Sequence, residues 1–327
     1  MANVSVFLYL TASPLSKGFL LFCLFSNDYA SRNHLKTGKI VKDANAEKIM
    51  TVIISPTNPR ITRLQTLHTT RGRKKSGLFL MEGPHLLEAL LDADLLPTEV
   101  YYQPDLLQRT REGIALLERV QHSPLASQQL IEVSERVIEA IGEVQTSQGI
   151  ISVLSLDALD SRQIQQRRHP AHRPCLLILD DLADPGNMGT ILRTALAADV
   201  AAVLLTPNCV DYYSPKVVRA AAGAHISLPV EIHLSWEAIA ARVETHCASS
   251  PRVLLAEAGS TAIYYEQDLM LPFALIIGNE AHGPSQAAHA LATQRLSIPL
   301  ANNVESLNAA MAAGIILYEA VRQKKQG

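Results

Sequence analysis

The sequence has few cysteines and few aromatic residues, and it has no excess of positive charge. Its four cysteines lie far apart in 327 residues and none belongs to a Cys-x-x-Cys pair, which favours reduced thiols over a zinc site or a disulfide framework. A single tryptophan and 5% aromatic residues argue against a platform on which the bases of single strands stack. With a formal net charge of -2, any nucleic-acid surface must be a local basic patch.

Long apolar runs and several catalytic signatures are also missing. A membrane span needs about 18 or more uninterrupted apolar residues, and the sequence has no such run. It has no G-x-G-x-x-G turn after a strand, no H-E-x-x-H and no G-x-S-x-G, which argues against dinucleotide, zinc-protease and serine-hydrolase chemistry. Residues 278–285 approach the pattern of a phosphate loop, but Pro284 replaces its lysine. We therefore do not expect hydrolysis of a nucleoside triphosphate.

The first 49 residues differ from the rest of the chain. Gly18–Phe25 has the length of the apolar part of a signal peptide, but the cleavage context after it is poor. A transit peptide is an alternative, because no acidic residue precedes Asp28. We favour a third interpretation, in which residues 1–49 are an extension outside the folded protein and Met50 is the natural start. The expected location is the cytoplasm.

Two domains joined by a linker are predicted after this extension. In residues 50–156, short apolar runs alternate with amphipathic helical patterns, which predicts a small α/β domain. Residues 157–174 are the predicted linker, because most of them are polar and the segment 161–174 has two prolines and no acidic residue. In the first domain, strands are expected at Gly77–Gly83, Thr98–Tyr102 and Gly149–Leu156, and helices at His85–Leu95 and Glu135–Val144.

The sequence pattern of residues 175–327 predicts an α/β domain with a parallel sheet. Near-continuous apolar strands that alternate with helices are typical of a parallel sheet covered on both faces. The helical patterns between the strands include Met188–Ala198 and Ser214–Ala224. The expected strands are Cys175–Asp181, Val200–Thr206, Arg252–Ala258, Phe273–Asn279 and Arg295–Leu300. Because such sheets bind ligands at the carboxyl ends of their strands, the polar clusters that follow these strands are the candidate site.

The first polar cluster follows the strand at Cys175. Here Pro185 and Gly186 predict a turn, and Asn187 is expected to cap the next helix. Arg193 lies nearly two helical turns further on, where a surface arginine would be ordinary. An alternative assigns this cluster to magnesium, since oxygen ligands have flexible spacing; its ligands would be Asp180, Asp181 and Asp184.

The second and third clusters follow later strands. Ile276–Ser285 has Gly278 at a strand end, where a ligand can approach the backbone, and Glu280 beside it as an acceptor. Ile298–Arg322 contains a helix rich in small residues, for which Ser306 is the expected cap. Taken singly, these clusters also suit a tight turn and a terminal packing helix.

Together, the three clusters resemble the three sequence motifs of the SpoU/TrmH family of RNA ribose 2′-O-methyltransferases. The resemblance covers about residues 175–322 and extends more loosely over 58–153. Its pattern departs from the family at Ile298–Asn303, where many relatives have methionine and glycine after the proline. The residues that carry it are Asn187, Gly189, Arg193, Gly278, Asn279, Glu280, Pro299, Ser306, Leu307 and Asn308.

The resemblance implies a fold, a cofactor and roles for residues. It implies a parallel-sheet catalytic domain with a C-terminal trefoil knot, a preceding substrate-binding domain, a homodimer, and S-adenosylmethionine as the methyl donor. A knot would not follow from general rules of chain topology. The implied catalytic residues are Asn187, Arg193, Glu280, Ser306 and Asn308. The implied cofactor-binding residues are Thr206, Gly278, Asn279, Ile298 and Leu307.

A basic segment predicts the RNA-binding surface independently. No acidic residue interrupts the run of arginines and lysines between Arg60 and Lys75, and the predicted linker adds four more arginines. The RNA-binding candidates are Arg60, Arg71, Arg73, Lys74 and Lys75. The motifs do not distinguish ribosomal from transfer RNA. Two other functions remain open here: a catalytically inactive RNA-binding module, and a magnesium-dependent phosphoryl-transfer enzyme.

Overall fold

The computed structural model describes residues 52–123, 125, 129–143, 146–159, 164, 175–247 and 250–326. The predicted extension 1–49 and most of the predicted linker 157–174 lie outside these residues. The described chain contains two sheets, one formed before residue 160 and the other after residue 174.

The first sheet has four strands in the order β1-β4-β2-β3. Strand β4 runs antiparallel to both of its neighbours, and β2 pairs with β3 in parallel. The strands are β1 (Leu78–Glu82), β2 (Glu99–Tyr102), β3 (Leu130–Glu132) and β4 (Ile150–Ser155). The helices are α1 (Pro59–Gln65), α2 (Thr70–Ser76), α3 (Pro84–Asp92), α4 (Pro104–Leu107), α5 (Arg111–Gln121) and α6 (Glu135–Ile141). Buried apolar side chains on both faces, including Phe79 and Tyr101, form its core.

The second sheet has six parallel strands in the order β10-β8-β9-β5-β6-β7. Central strands are apolar along their whole length because both faces are covered. The strands are β5 (Cys175–Leu179), β6 (Ala202–Leu205), β7 (Val230–Glu231), β8 (Val253–Ala256), β9 (Phe273–Ile277) and β10 (Gln294–Leu296). The helices are α7 (Pro185–Ala197), α8 (Pro215–Ala220), α9 (Ala224–Ser227), α10 (Trp236–Cys247), α11 (Gln286–Leu291) and α12 (Ala309–Gln326).

Two apolar clusters lie on opposite faces of this sheet. On one face, Ile191 of α7 and Ile316 of α12 belong to the cluster with Leu177 of β5. On the other face, Ile239 of α10 and Ala288 of α11 belong to the cluster with Ile178. Adjacent residues of one strand point to opposite faces, so this pattern confirms the predicted parallel sheet with helices on both sides.

One predicted helix is wrong in detail. The pattern over Ser214–Ala224 predicted a continuous helix, but α8 ends at Ala220 and α9 begins at Ala224. Between them, Ala222 and Gly223 have φ values of 47° and 90°, which break the helical backbone. The helix predicted at His85–Leu95 likewise ends at Asp92, before Asp94 with a φ of 54°.

The two sheets contact each other through a small apolar junction and an ion pair. Phe79 of β1 lies with its ring centroid 5.0 Å from that of Tyr213, and Val218 of α8 packs into the same apolar cluster as Met81. Beside it, Arg73 of α2 contacts Asp211 at 2.7 Å. No helix among the described residues is long and apolar enough to cross a membrane.

Candidate active site

The turn between β5 and α7 places the first polar cluster. Asp184, not Asn187 as predicted, caps α7: its Oδ1 accepts a hydrogen bond from the Asn187 amide at 2.7 Å. The helix therefore starts three residues earlier than the cap prediction required. Asn187 lies in the first turn of the helix, where its side chain is available for other partners.

Asn187 joins the second and third clusters. Its Nδ2 donates to Glu280 Oε1 at 2.9 Å, and its Oδ1 accepts from Asn308 Nδ2 at 2.8 Å. Asn187 and Glu280 are more than 90 positions apart in the sequence. The three predicted catalytic residues thus form one hydrogen-bonded row. We refer to Asn187, Glu280 and Asn308 as the polar triad.

Backbone amides complete the surroundings of Glu280. Its two carboxylate oxygens accept from the amides of Ala183 at 3.0 Å and Asp184 at 3.1 Å. Burial opposes ionisation of this group, but the hydrogen bonds from Asn187 and the amides outweigh it, so the pKa of Glu280 lies below its ordinary value. Glu280 is therefore an anion near neutral pH.

The turn after β9 presents Glu280. Asn279 and Gly283 exchange backbone hydrogen bonds of 3.2 and 3.0 Å, and Asn279 Nδ2 donates to the carbonyl of Asp181 at 2.7 Å. Gly278 cannot carry a side chain, because a Cβ there would lie 2.5 Å from the Pro284 nitrogen. The glycine thus allows the turn to fold back onto the end of its own strand.

Asn308 caps the last helix, which corrects the prediction for Ser306. Asn308 Oδ1 accepts from the amides of Ala310 and Met311 at 2.9 and 3.3 Å, and α12 begins at Ala309. Ser306 lies three residues before the helix, and its exposed side chain makes no hydrogen bond within the described part of the chain. It still lines the cleft described next.

A cleft of about 640 Å³ opens beside the polar triad. It lies at the carboxyl ends of β8, β9 and β10, where a parallel sheet is expected to bind its ligand. Gly278, Asn279, Ile298 and Leu307, four of the five predicted cofactor residues, line it. The fifth, Thr206, does not: it is buried, and its hydroxyl hydrogen-bonds to Asp181 Oδ1 at 2.7 Å.

Comparisons with known proteins agree with this arrangement. The SpoU rRNA Methylase family matches residues 174–318, and the MRM3-like substrate binding domain matches residues 58–152. The sequence is 34% identical to an uncharacterized tRNA/rRNA methyltransferase of Synechocystis sp., over 83% of this chain and 94% of that protein. It is 30% identical to the 23S rRNA (guanosine(2553)-2′-O)-methyltransferase RlmP of Bacillus subtilis, over 82% of this chain and 98% of that protein. The chain belongs to the SpoU rRNA methylase family.

Solved structures of SpoU methylases share the fold. The methyltransferase AviRb from Streptomyces viridochromogenes, in complex with AdoMet, superimposes with a TM-score of 0.69 at 27% identity, covering 83% of this chain and 99% of that one. An AdoMet-bound rRNA methyltransferase from Sinorhizobium meliloti gives a TM-score of 0.66 at 28% identity, covering 83% and 97%.

Arg193 occupies an exposed position on α7. It makes no ion pair or hydrogen bond to any described residue, and it does not line the cleft. The predicted catalytic arginine of this SpoU methylase therefore has no partner among the described residues, and it lies on the same helix as Asn187.

The three aspartates of the magnesium alternative have structural partners. Asp180 Oδ2 accepts from the Ser285 amide at 2.6 Å, Asp181 bonds to Thr206 and Asn208, and Asp184 caps α7. Burial raises the pKa of Asp180, which disfavours the carboxylate that a magnesium ion needs. Within the described ranges, no group of three or more His, Cys, Asp or Glu residues is placed to hold a metal ion.

The predicted RNA-binding residues differ in how exposed they are. Arg71, Lys74 and Lys75 are exposed on α2, and Arg60 is partly exposed but paired with Glu99 at 2.9 Å. Arg73 is only 3% exposed and donates to the carbonyl of Leu67 and to Asp211. The prediction that Arg73 contacts RNA is therefore corrected, because its guanidinium is buried between the two sheets.

Two residues of the cleft were missed by the sequence analysis. Glu257 follows β8, and His289 lies on α11; both line the cleft. A signal for Glu257 existed, since it ends a predicted strand in the same way as Gly278. No pattern in the sequence pointed to His289, whose place depends on how α11 packs.

Proposed function

We propose that this SpoU methylase transfers the methyl group of S-adenosylmethionine to a ribose 2′-hydroxyl of ribosomal RNA. The observation that carries the proposal is the polar triad at the edge of the cleft, because it unites one residue from each of the three motifs. Ribosomal RNA is favoured as substrate by the name of the relative in Bacillus subtilis and by that of the matching SpoU rRNA Methylase family.

The cleft suits this donor in size and chemistry. Sites for small molecules have volumes of about 300–1,000 Å³ and combine apolar walls with a few polar groups. Ile277, Leu296 and Ile298 supply apolar walls, whereas Glu280 and Glu257 supply acceptors. The donor, when bound, supplies a methyl group on a positively charged sulfonium. Among the described residues, those that line the cleft include glutamates but no lysine or arginine, which suits that charge.

The residues around the cleft must position the ribose and remove its proton. Correct positioning alone contributes roughly 7–11 kcal/mol to lowering such a barrier. Glu280 accepts a hydrogen bond from Asn187, and Asn187 accepts one from Asn308, so the polar triad presents its groups in a fixed orientation. Arg193 is assigned to the phosphate of the target nucleotide, since a guanidinium stays protonated below about pH 12 and is a poor proton acceptor.

The proposed architecture has three parts. Residues 50–156 are the RNA substrate-binding domain, 157–174 the linker and 175–327 the methyltransferase domain, which we infer ends in a trefoil knot. Support for the knot is that the loops after β8, β9 and β10 and the start of α12 all converge on one cleft. A homodimer is supported by Met311 and Tyr318, which are exposed apolar side chains on α12. The predicted cytoplasmic location stays a prediction.

Helix α2 is the proposed RNA surface. Arg71, Lys74 and Lys75 are exposed and have no ion-pair partner among the described residues. Replacing all three with alanine is expected to flatten the dependence of log affinity for RNA on log salt, by up to about 0.7–0.9 per lost phosphate contact. Donor affinity serves as the control and should not change. An unaltered slope in the triple variant would mean that these side chains of α2 face solvent and do not contact RNA.

Methyl transfer tests the function directly. The full chain is incubated with isotope-labelled S-adenosylmethionine and with ribosomal or transfer RNA from a strain that lacks the enzyme, and 2′-O-methyl positions are mapped. Label is expected at one nucleotide of ribosomal RNA, and it should persist in EDTA. Tight RNA binding without transfer would instead support an inactive RNA-binding module, and label in transfer RNA alone would overturn the proposed substrate.

A further inference from the structure

Glu257 is fixed at the carboxyl end of β8. Its amide donates to the carbonyl of Leu296 at 2.9 Å, so its backbone is held between β8 and β10. It lines the same cleft as Gly278 and Asn187, yet it belongs to none of the three motifs. The role of this carboxylate must therefore be inferred from the residues around it and not from a motif.

The carboxylate of Glu257 is oriented but not saturated. Its side chain is 29% exposed, with Oε1 lying 3.7 Å from His289 Nε2 and Oε2 lying 3.5 Å from Arg295 Nη1. Both distances exceed those of a normal hydrogen bond. In the part of the chain that the structure describes, no hydrogen bond reaches either oxygen. Two acceptor atoms therefore face the cleft region with capacity for a ligand.

The position of β8 separates Glu257 from the reacting methyl group. Glu280 follows β9 and contacts amides that follow β5, so the polar triad lies at the β9–β5 side of the cleft. Strand β8 is two places from β5, or about 10 Å at the usual strand spacing of ~4.8 Å. Glu257 consequently contacts a part of the donor other than its methyl group.

The chemistry of the carboxylate indicates which part of the donor Glu257 contacts. An ionised carboxylate only accepts hydrogen bonds, so its candidates are the donor's ribose hydroxyls, adenine amino group and ammonium group. Arg295 already lies beside it, which makes a second cation a poor partner. Two adjacent hydroxyls match two oxygens, and acidic residues at the ends of parallel strands bind ribose hydroxyls in dinucleotide folds.

We propose that Glu257 binds the ribose hydroxyls of the methyl donor, an assignment that rests on the proposed function. His289 and Arg295 lie at ion-pair distance from its carboxylate. The recognition of the donor then has two separate parts: the polar triad at the methyl group and Glu257 at the ribose.

Calorimetric titration of the full chain tests the proposal. The ligands are S-adenosylhomocysteine and its 2′-deoxy and 3′-deoxy derivatives, so that the readout is binding and not turnover. Glu257→Ala should weaken S-adenosylhomocysteine by about 10- to 100-fold, as for loss of hydrogen bonds to a charged group. Glu257→Gln keeps one acceptor and should be intermediate. Glu244→Ala, at an exposed glutamate of α10 that does not line the cleft, is the matched control and should leave affinity unchanged.

The deoxy ligands separate a ribose contact from a general disturbance. In the wild-type chain, removing a hydroxyl should weaken binding, whereas in Glu257→Ala it should have no further effect, because partners in one interaction are not additive. An equal deoxy effect in both chains would overturn the assignment alone. A wild-type chain that does not bind S-adenosylhomocysteine would overturn the proposed function and the assignment with it. If Glu257→Ala does not fold, the same comparison in Glu257→Gln decides.

Discussion

At the scale of single residues, Arg193 is expected to matter for catalysis and not for stability. It is exposed and has no partner among the described residues, so Arg193→Ala should change the free energy of unfolding by no more than about 0.5 kcal/mol. Methyl transfer to RNA should nevertheless be almost abolished, with donor affinity retained. Thr190→Ala, at an exposed position one turn earlier on α7, is the control. Near-wild-type turnover in Arg193→Ala, measured with the true RNA, would reject the assigned role.

Glu280 gives a pH dependence whose sign follows from its hydrogen bonds. Because its folded pKa lies below the ordinary value, its stabilising effect is complete above the unfolded pKa of about 4.3 and is lost as pH falls through the folded pKa. The melting temperature of wild type should therefore exceed that of Glu280→Gln at neutral pH, and the difference should shrink as the pH falls below the unfolded pKa and through the lower folded pKa. A difference that is constant with pH would show that the carboxylate charge contributes nothing.

At the scale of elements, the contact between α7 and α8 depends on one glycine. A Cβ on Gly189 would lie 2.3 Å from the Cβ of Ala220 and 2.9 Å from the backbone of Ala221, so the helices would have to separate. Gly189→Ala should cost about 1–3 kcal/mol in the free energy of unfolding, as overpacking does. Gly314→Ala is the matched control: its nearest neighbour is 3.8 Å away, and alanine in α12 should stabilise by about 0.5–1 kcal/mol. Stabilisation by both changes would contradict this packing.

The elements also show how far the sequence could be interpreted. The apolar runs predicted all the central strands, because burial on both faces leaves a continuous hydrophobic signal. The caps were less predictable: Asp184 and Asn308 are as suitable as Asn187 and Ser306, and only the turn geometry decides between them. Resemblance to the family brought Glu280 and Asn308 into one site, but their contact through Asn187 required the three-dimensional arrangement. Charge alone could not distinguish the buried Arg73 from its exposed neighbours on α2.

At the scale of the whole molecule, the junction between the two sheets connects the proposed RNA surface to the catalytic loops. Helix α2 carries the exposed basic residues, and Arg73 of the same helix contacts Asp211 in the segment after β6. That segment also holds Thr206, which bonds to Asp181, whose carbonyl accepts from Asn279 beside Glu280. A continuous series of contacts thus leads from α2 to the polar triad, so the ion pair can fix the RNA surface relative to the site.

Removing Arg73 should uncouple the two sheets. Breaking a buried ion pair at one partner costs about 3–5 kcal/mol, and the lower end is expected because Asp211 keeps 22% of its side chain exposed. The single tryptophan, Trp236, lies on α10 and reports only on the second sheet, whereas far-ultraviolet circular dichroism reports on both. In urea, the two signals should share one midpoint in wild type and separate in Arg73→Met, since coincident transitions are the test of a single cooperative unit. Arg71→Met, at an exposed position of the same helix, should leave them coincident. Coincident transitions and a loss below about 0.5 kcal/mol in Arg73→Met would mean that the apolar contacts of Phe79 and Tyr213 hold the junction by themselves.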